Sequence, residues 1–328
     1  FRGDGLHDDF HGRAGDFKAF RAALKPVGKF PLERMSGLDQ RPWTWVDSPL
    51  KGRSAARDIE ASPVLCIDTE YDSFRCFRDK LCLIQIRAAR RTYLFDPLNG
   101  TDLSFLAGPF ARPAVVKVLH AGDNDIRLLK RDYGFGFENV FDTHRAAAIL
   151  GCHYLSLSTL IAQYLGIDLV KKKKIQRSQW DHRPLTEEQI RYAVLDTAYL
   201  MPLYERLSAD LRGRGLEKQA LRAFADVAAG IWQEKTLDIR GHRKIDRYAF
   251  LEDDQKKALK RLYRWRFQKA RDTNRAVFMI LSDQDLVRLA GVADPTLSAL
   301  REEGGLSREK AARYGEEIVG ALRSRASG

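Results

Sequence analysis

At one point in the chain an apolar run ends in two carboxylates spaced one residue apart: Val64-Leu65-Cys66-Ile67-Asp68-Thr69-Glu70. Apolar and β-branched residues bounded by Pro63 predict a buried strand rather than a helix. Side chains alternate along a strand, so Asp68 and Glu70 point to the same side of a sheet. Two such charges in a mostly buried place repel and lose solvation. A cation between them would relieve this, and hard oxygen donors then favour Mg²⁺ or Mn²⁺. A strand running out into a polar turn, with both acids solvated, fits the same residues. The stretch alone leaves both readings open.

Other stretches carry chemistry of their own. Thr186-Glu187-Glu188-Gln189 is a capping box that starts a helix. Within that helix Tyr192 and Asp196 are four apart and share a face. Asp is unfavourable in a helix interior, although taken alone a satisfied surface pair with Tyr or Arg accounts for it. Residues 171–174 are four lysines, followed by Ile175-Gln176-Arg177-Ser178-Gln179-Trp180. A lysine run is commonly a solvated loop. The interleaved Lys174, Gln176, Ser178 and Trp180 also fit an edge that contacts phosphates and stacks on bases.

These residues need elements to position them. Strands are predicted at 64–67, 81–86, 92–95, 115–119 and 140–141, with a first strand starting at 43–45. Short loops suggest an antiparallel meander for the strands at 64–67, 81–86 and 92–95. Helices are predicted at about 124–133, 145–150 and 157–165, the last ending at Gly166. The pattern is α/β (α+β), a mixed sheet with helices on its faces. Residues 1–42 are poorly periodic, with a short helix plausible at 17–24, and read as an extension. The main domain spans 43–210. A helical connector follows over 211–245, broken by the basic cluster Arg240, His242, Arg243 and Lys244. Residues 246–328 are helical in pattern, with one helix over about 252–272 and starts at Ser282-Asp283, Asp294-Pro295-Thr296 and Ser307. Between 256 and 275 nine Lys or Arg face one acid, Asp272, which fits phosphate contacts or a solvated face.

The 328 residues suggest about two domains. A hydrophobic share of 44% with 30% charged residues excludes a disordered chain, and no apolar run reaches the ~20 residues of a membrane helix. The net charge of +12 favours a polyanionic partner, most often nucleic acid, over a neutral small molecule. Cys66, Cys76, Cys82 and Cys152 form no CxxC pair, so they read as thiols in a reducing compartment, the cytoplasm. The first residue is Phe, which suggests a processed, trimmed or incomplete start. The N-terminal stretch lacks the apolar core of a signal peptide.

Together the motifs resemble the DEDD 3′→5′ exonucleases, in the subgroup with a tyrosine in the last motif, and within it the ribonuclease D family. The first motif is Ile67-Asp68-Thr69-Glu70, with Leu83-Ile84-Gln85-Ile86 on the next strand. The second is Val118-Leu119-His120-Ala121-Gly122-Asp123-Asn124-Asp125-Ile126. The third is Trp180-Asp181-His182-Arg183-Pro184-Leu185-Thr186, leading to Tyr192-Ala193-Val194-Leu195-Asp196. The likeness covers about residues 43–210 and implies a ribonuclease H-like sheet. Leu262-Tyr263-Arg264-Trp265-Arg266, Phe278-Met279-Ile280-Leu281-Ser282-Asp283 and Lys310-Ala311-Ala312-Arg313-Tyr314-Gly315 resemble the helical HRDC domain.

The resemblance implies two divalent ions, Mg²⁺ or Mn²⁺, held by Asp68, Glu70, Asp125 and Asp196. Asp68 would bridge both ions, Glu70 and Asp196 would complete the one that activates water, and Asp125 would hold the second, partly through water. The register of the second motif selects Asp125 over Asp123, which is expected to cap the helix; Asp142 is expected to cap the next one. Tyr192 would orient the attacking water. The implied activity is a 3′-5′ exoribonuclease releasing nucleoside 5′-monophosphates, in tRNA 3′ processing or RNA turnover. Lys257, Arg261 and Arg264 would contact the RNA backbone, and His120 is grouped with the residues facing nucleic acid. The rivals are a DNA or short-oligonucleotide exonuclease and, in another class, a non-catalytic nucleic-acid-binding protein. A divalent-metal phosphatase is disfavoured by the lack of a nucleophile motif and of a Gly-rich phosphate loop.

Overall fold

A computed structural model of the chain describes residues 42–169 and 173–324. The expected helix at 17–24 lies outside them. The chain divides into two compact units. Among the described residues, the first holds those from 42 to 71 and from 81 to 232, and the second those from 72 to 80 and from 233 to 324.

The first unit is built on a six-stranded mixed sheet in the order β1-β4-β3-β2-β5-β6. Its strands are β1 (Trp43–Val46), β2 (Val64–Asp72), β3 (Lys80–Ala88), β4 (Arg91–Phe95), β5 (Val116–Leu119) and β6 (Val140–Asp142). β3 and β4 are antiparallel, as expected, with Gln85 opposite Leu94. β1–β4, β2–β5 and β5–β6 are parallel. β2 runs past Ile67 through the carboxylates, because Thr69, Glu70 and Asp72 remain buried.

Alternation along β2 sends Leu65 and Ile67 to one face of the sheet and Val64 and Cys66 to the other. On the Leu65 face lie α1 (Pro49–Ala61), α2 (Ala107–Ala111) and α3 (Asp123–Tyr133), which contribute Ile59, Phe110, Ile126 and Leu129 to one core. On the Val64 face lie α4 (Thr143–Ile149) and α5 (Leu157–Leu165), followed along the chain by α6 (Lys173–Gln176), α7 (Glu187–Ala198), α8 (Leu200–Gly213) and α9 (Glu217–Ala229). Leu160, Ile161, Leu203, Leu207 and Phe224 pack there around Cys66 and Val118. Helices thus cover both faces of the sheet. None of the described helices is long and apolar enough to cross a membrane.

The second unit is helical: α10 (Asp253–Asp272), α11 (Val277–Ile280), α12 (Asp283–Ala290), α13 (Leu297–Glu302) and α14 (Arg308–Arg323). Leu259, Leu262, Ile280, Leu286, Leu300 and Ile318 form its core. The residues joining β2 to β3 belong to this unit. Phe77 is 3% exposed in the helical core and sets its ring edge against Phe267 at 5.1 Å. Arg78 donates through Nε to Glu234 at 2.8 Å and through Nη1 to the Arg271 carbonyl at 3.1 Å. The chain from 211 to 244 is helical only in part. α9 ends at Gly230, residues 231–240 lie outside helices, and a short 3₁₀ turn covers Gly241–Lys244.

Candidate active site

β2 delivers Asp68 and Glu70 to the face that continues Val64 and Cys66, and α7 presents Asp196 to them. One oxygen from each of these three carboxylates lies within 4.8 Å of the others. Glu70 and Asp196 are buried, while Asp68 is partly exposed. Among the described residues no second group of His, Cys, Asp or Glu side chains converges in this way. Three hard oxygen donors concentrated at one point, two of them shielded from water, fit a divalent cation that offsets their charge.

Asp125 is not part of that trio. Thr69 lies between Asp68 and Glu70, so its side chain takes the opposite face, toward α3. Its hydroxyl donates to Asp125 Oδ1 at 2.5 Å. Burial pushes the Asp125 carboxyl up to about 6, against the Thr69 hydrogen bond, which lowers it. The turn before α3 is tightly built. Ala121 has φ 55°, and a Cβ on Gly122 would come within 2.6 Å of Leu119 Cδ2. The Gly122 N–H donates to Asp142 Oδ2 at 2.8 Å, while Asp142 Oδ1 accepts from the Arg145 N–H and caps α4 as expected. Gly122, not Asp123, is the N-cap of α3. Asp123 is the first helical residue and pairs with Arg145 at 3.1 Å, so its expected capping role is corrected.

Tyr192 sits one turn before Asp196 on α7, whose start carries the expected capping box of Thr186 and Gln189. Burial, and then the negative charges of Asp196, Glu70 and Asp68, push the Tyr192 hydroxyl far above the ordinary phenol range; a hydrogen bond to Asp196 adds to this. The hydroxyl's one proton is thus directed at Asp196. Arg183 anchors the third motif to the sheet. Its guanidinium forks onto Asp96 at 2.6 and 2.8 Å and also donates to the carbonyls of Trp180 and Cys82. The sequence reading assigned no role to Thr69 or Arg183. The alternation of β2 could have flagged Thr69; nothing local links Arg183 to Asp96, which lies 87 residues away.

The residues expected to touch nucleic acid separate. Trp180 is 1% exposed, packed with Leu83, Leu94 and Ala193, and its indole N–H donates to the Gln176 carbonyl. It cannot stack on a base, and that expectation is corrected: an aromatic beside a polar run is equally a core residue. The Ser178 hydroxyl accepts from Gln189 Nε2 at 3.0 Å, while Lys174 and Gln176 are exposed on α6. His120 Nδ1 lies 2.9 Å from the Thr143 hydroxyl. Arg261 is corrected as well. It donates to the Ala321 and Leu322 carbonyls and so caps the end of α14. Lys257 pairs with Asp254 at 2.8 Å, and Arg264 is exposed.

Strand order and helix placement put the first unit in the ribonuclease H-like class of nuclease folds. This chain belongs to the 3′-5′ exonuclease family, whose model matches residues 44–212, and residues 255–322 match the HRDC domain. It is similar to ribonuclease D of Pseudomonas paraeruginosa, 35% identical over 75% of this chain and 65% of that protein. It is 30% identical to the exosome complex component 10 homolog of Drosophila melanogaster, over 75% of this chain and 28% of that protein. The chain thus spans less than a third of the length of that relative. The catalytic core of RRP6 from Trypanosoma brucei has the same fold, with a TM-score of 0.81 at 20% identity, covering 95% of this chain and 88% of that one.

Proposed function

We propose that this chain is a metal-dependent 3′-5′ exoribonuclease that releases nucleoside 5′-monophosphates from RNA 3′ ends, in tRNA 3′ processing or RNA turnover. The observation that carries this is the convergence of Asp68, Glu70 and Asp196 within 4.8 Å. Two relatives, named ribonuclease D and exosome complex component 10 homolog, support RNA as the substrate. Asp68, Glu70 and Asp196 would hold one divalent cation, Mg²⁺ or Mn²⁺, and Asp125, outside that trio, would hold a second with Asp68, partly through water. Bound cations supply an activated water and charge stabilisation at the phosphorus and the leaving oxygen. The chain's own contribution is positional. α7 holds Asp196 and Tyr192 on one face, and the Tyr192 hydroxyl, whose one proton goes to Asp196, would orient the attacking water by accepting a hydrogen bond from it. Thr69 fixes the carboxyl of Asp125. The four free cysteines fit a reducing compartment, the cytoplasm.

The test is incubation with 5′-labelled RNA, DNA and very short oligonucleotides in Mg²⁺, Mn²⁺ or EDTA. A ladder receding from the 3′ end of RNA, formed only with metal, is expected. Asp68→Ala and Asp196→Asn should abolish hydrolysis and leave RNA binding largely intact. Tight binding without cleavage of any substrate would favour a non-catalytic binding protein instead.

A further inference from the structure

Two side chains of the third motif, Trp180 and Arg183, lie outside the carboxylate trio but are tied to it through α7. Every N–H of the Arg183 guanidinium has an acceptor. Nε and one Nη2 hydrogen go to Asp96, and the other Nη2 hydrogen goes to the Cys82 carbonyl at 2.7 Å. Nη1 donates to the carbonyls of Trp180 and His182 at 2.7 and 2.9 Å. Asp96 is buried just past the end of β4, and Cys82 lies in β3. The guanidinium also lies over the Trp45 ring of β1, 5.7 Å from its centroid. One side chain thus ties residues 180–183 to β1, β3 and the end of β4. Thr186, the N-cap of α7, follows three residues later.

Trp180 carries this anchoring on to Tyr192. Its ring packs in one cluster with Leu83 and Leu94 of the sheet and Ala193 and Val194 of α7. Its centroid is 6.0 Å from that of the Tyr192 ring, with the planes at 49°, a favourable aromatic pair. The indole N–H donates to the Gln176 carbonyl at 3.3 Å, which fixes the orientation of the ring. From the first turn of α7, Gln189 Nε2 donates to Ser178 Oγ and to the Gln179 carbonyl at 3.0 and 3.2 Å. The loop 176–186 is therefore folded back on α7, and its tryptophan backs the Tyr192 ring. A tyrosine turns about two side-chain bonds, so the aim of its oxygen depends on what its ring rests against.

We propose that Trp180, braced by Arg183, is a positioning residue for Tyr192: the indole is the surface on which the phenol rests, and it sets the aim of the phenolic oxygen at the attacking water. This rests on the reading of Tyr192 as the water-orienting residue and adds the side chains that hold it.

The experiment is a double-mutant cycle on the full chain. Single-turnover rates on 5′-labelled RNA with Mn²⁺ are measured at saturating enzyme for the wild type, Trp180→Phe, Arg183→Lys, Tyr192→Phe, and each of the first two combined with Tyr192→Phe. Lys at 183 keeps a charge opposite Asp96 but loses the planar fork. Phe at 180 keeps an aromatic filler without the indole N–H. Trp180→Phe and Arg183→Lys should each slow the reaction by about tenfold or more, the scale of a misplaced group. The enzyme concentration that half-saturates the rate should stay near the wild-type value. In the Tyr192→Phe background the same changes should cost about twofold or less, because the hydroxyl they aim is gone. Calorimetric Mn²⁺ titration of both single variants should match the wild type. Equal losses in the two backgrounds, at a temperature where circular dichroism shows every variant folded, would overturn the proposal, since a purely structural role slows both alike. So would a wild-type rate in Trp180→Phe. If Arg183→Lys does not fold, the Trp180→Phe cycle decides alone. A wild-type rate in Tyr192→Phe would remove the reading of Tyr192 and the proposal with it, whereas a slow Tyr192→Phe with equal losses removes the proposal only.

Discussion

Tyr192 shows how a side chain's surroundings limit its role. Its hydroxyl is held neutral by burial and by the three carboxylates around it. Its proposed part is therefore to orient the attacking water through its oxygen, its own proton being held by Asp196. Tyr192→Phe is expected to slow hydrolysis at saturating RNA by roughly two to three orders of magnitude, about the worth of one positioned hydrogen bond. Calorimetric titration with Mn²⁺ should be unchanged; loss of metal binding in that variant would assign Tyr192 a different role. Lys117 is a second telling residue. It is fully buried in β5 and donates to the carbonyls of Arg112 and Val115. Burial pulls its ammonium down to about 7 from the ordinary 10.5. Below pH about 7 folded and unfolded chains both hold the proton, and the cost of burying the charge is present in full. Between about 7 and 10.5 the unfolded chain binds more protons, so stability should rise with pH across that window. Lys117→Met should flatten this rise in urea titrations run from pH 6.5 to 10; an unaltered slope would mean the group titrates normally.

At the scale of elements, the connection between the two strands that flank the site is the main finding. Residues 72–80 join β2, which carries Asp68 and Glu70, to β3, yet they pack inside the helical unit. Phe77→Ala should destabilise that unit by about 3–5 kcal/mol, the usual cost of emptying a buried phenyl site. Phe74→Ala, at a residue 67% exposed, should cost far less. The comparison is read from denaturant unfolding, and equal midpoints for the two variants would contradict the packing. The sequence showed only a short loop here, because Phe74 and Phe77 in an otherwise polar stretch set no repeating pattern. α1 was missed for a related reason. Ala55 and Ile59 are its only buried residues, so its apolar stripe is too sparse to read, although Ser48 and Pro49 form a regular helix start. The sheet strands were legible because their apolar runs are continuous. The alternation of β2 foretold that Asp68 and Glu70 share a face, and the i, i+4 spacing foretold that Tyr192 and Asp196 do. What could not be read was contact across the chain: Thr69 with Asp125, Arg183 with Asp96, and the burial of Trp180.

For the whole molecule, a net charge of +12 sits beside a cluster of three acids that fits a cation. The positive charge is spread over the chain, including a helical unit whose longest helix carries eight Lys or Arg between 256 and 271. Binding of a polyanion should therefore weaken steeply with salt while the chemical step does not. The most direct test of the proposed role is the fate of the cleaved bond. RNA labelled at its 5′ end is incubated in ¹⁸O-water with Mn²⁺ and the wild type, and in parallel with Asp196→Asn. The expected result is 3′-end shortening by the wild type alone, with ¹⁸O in the phosphate of released nucleoside 5′-monophosphates. Products ending in 3′-phosphates, internal cuts, or undiminished cleavage by Asp196→Asn would contradict it.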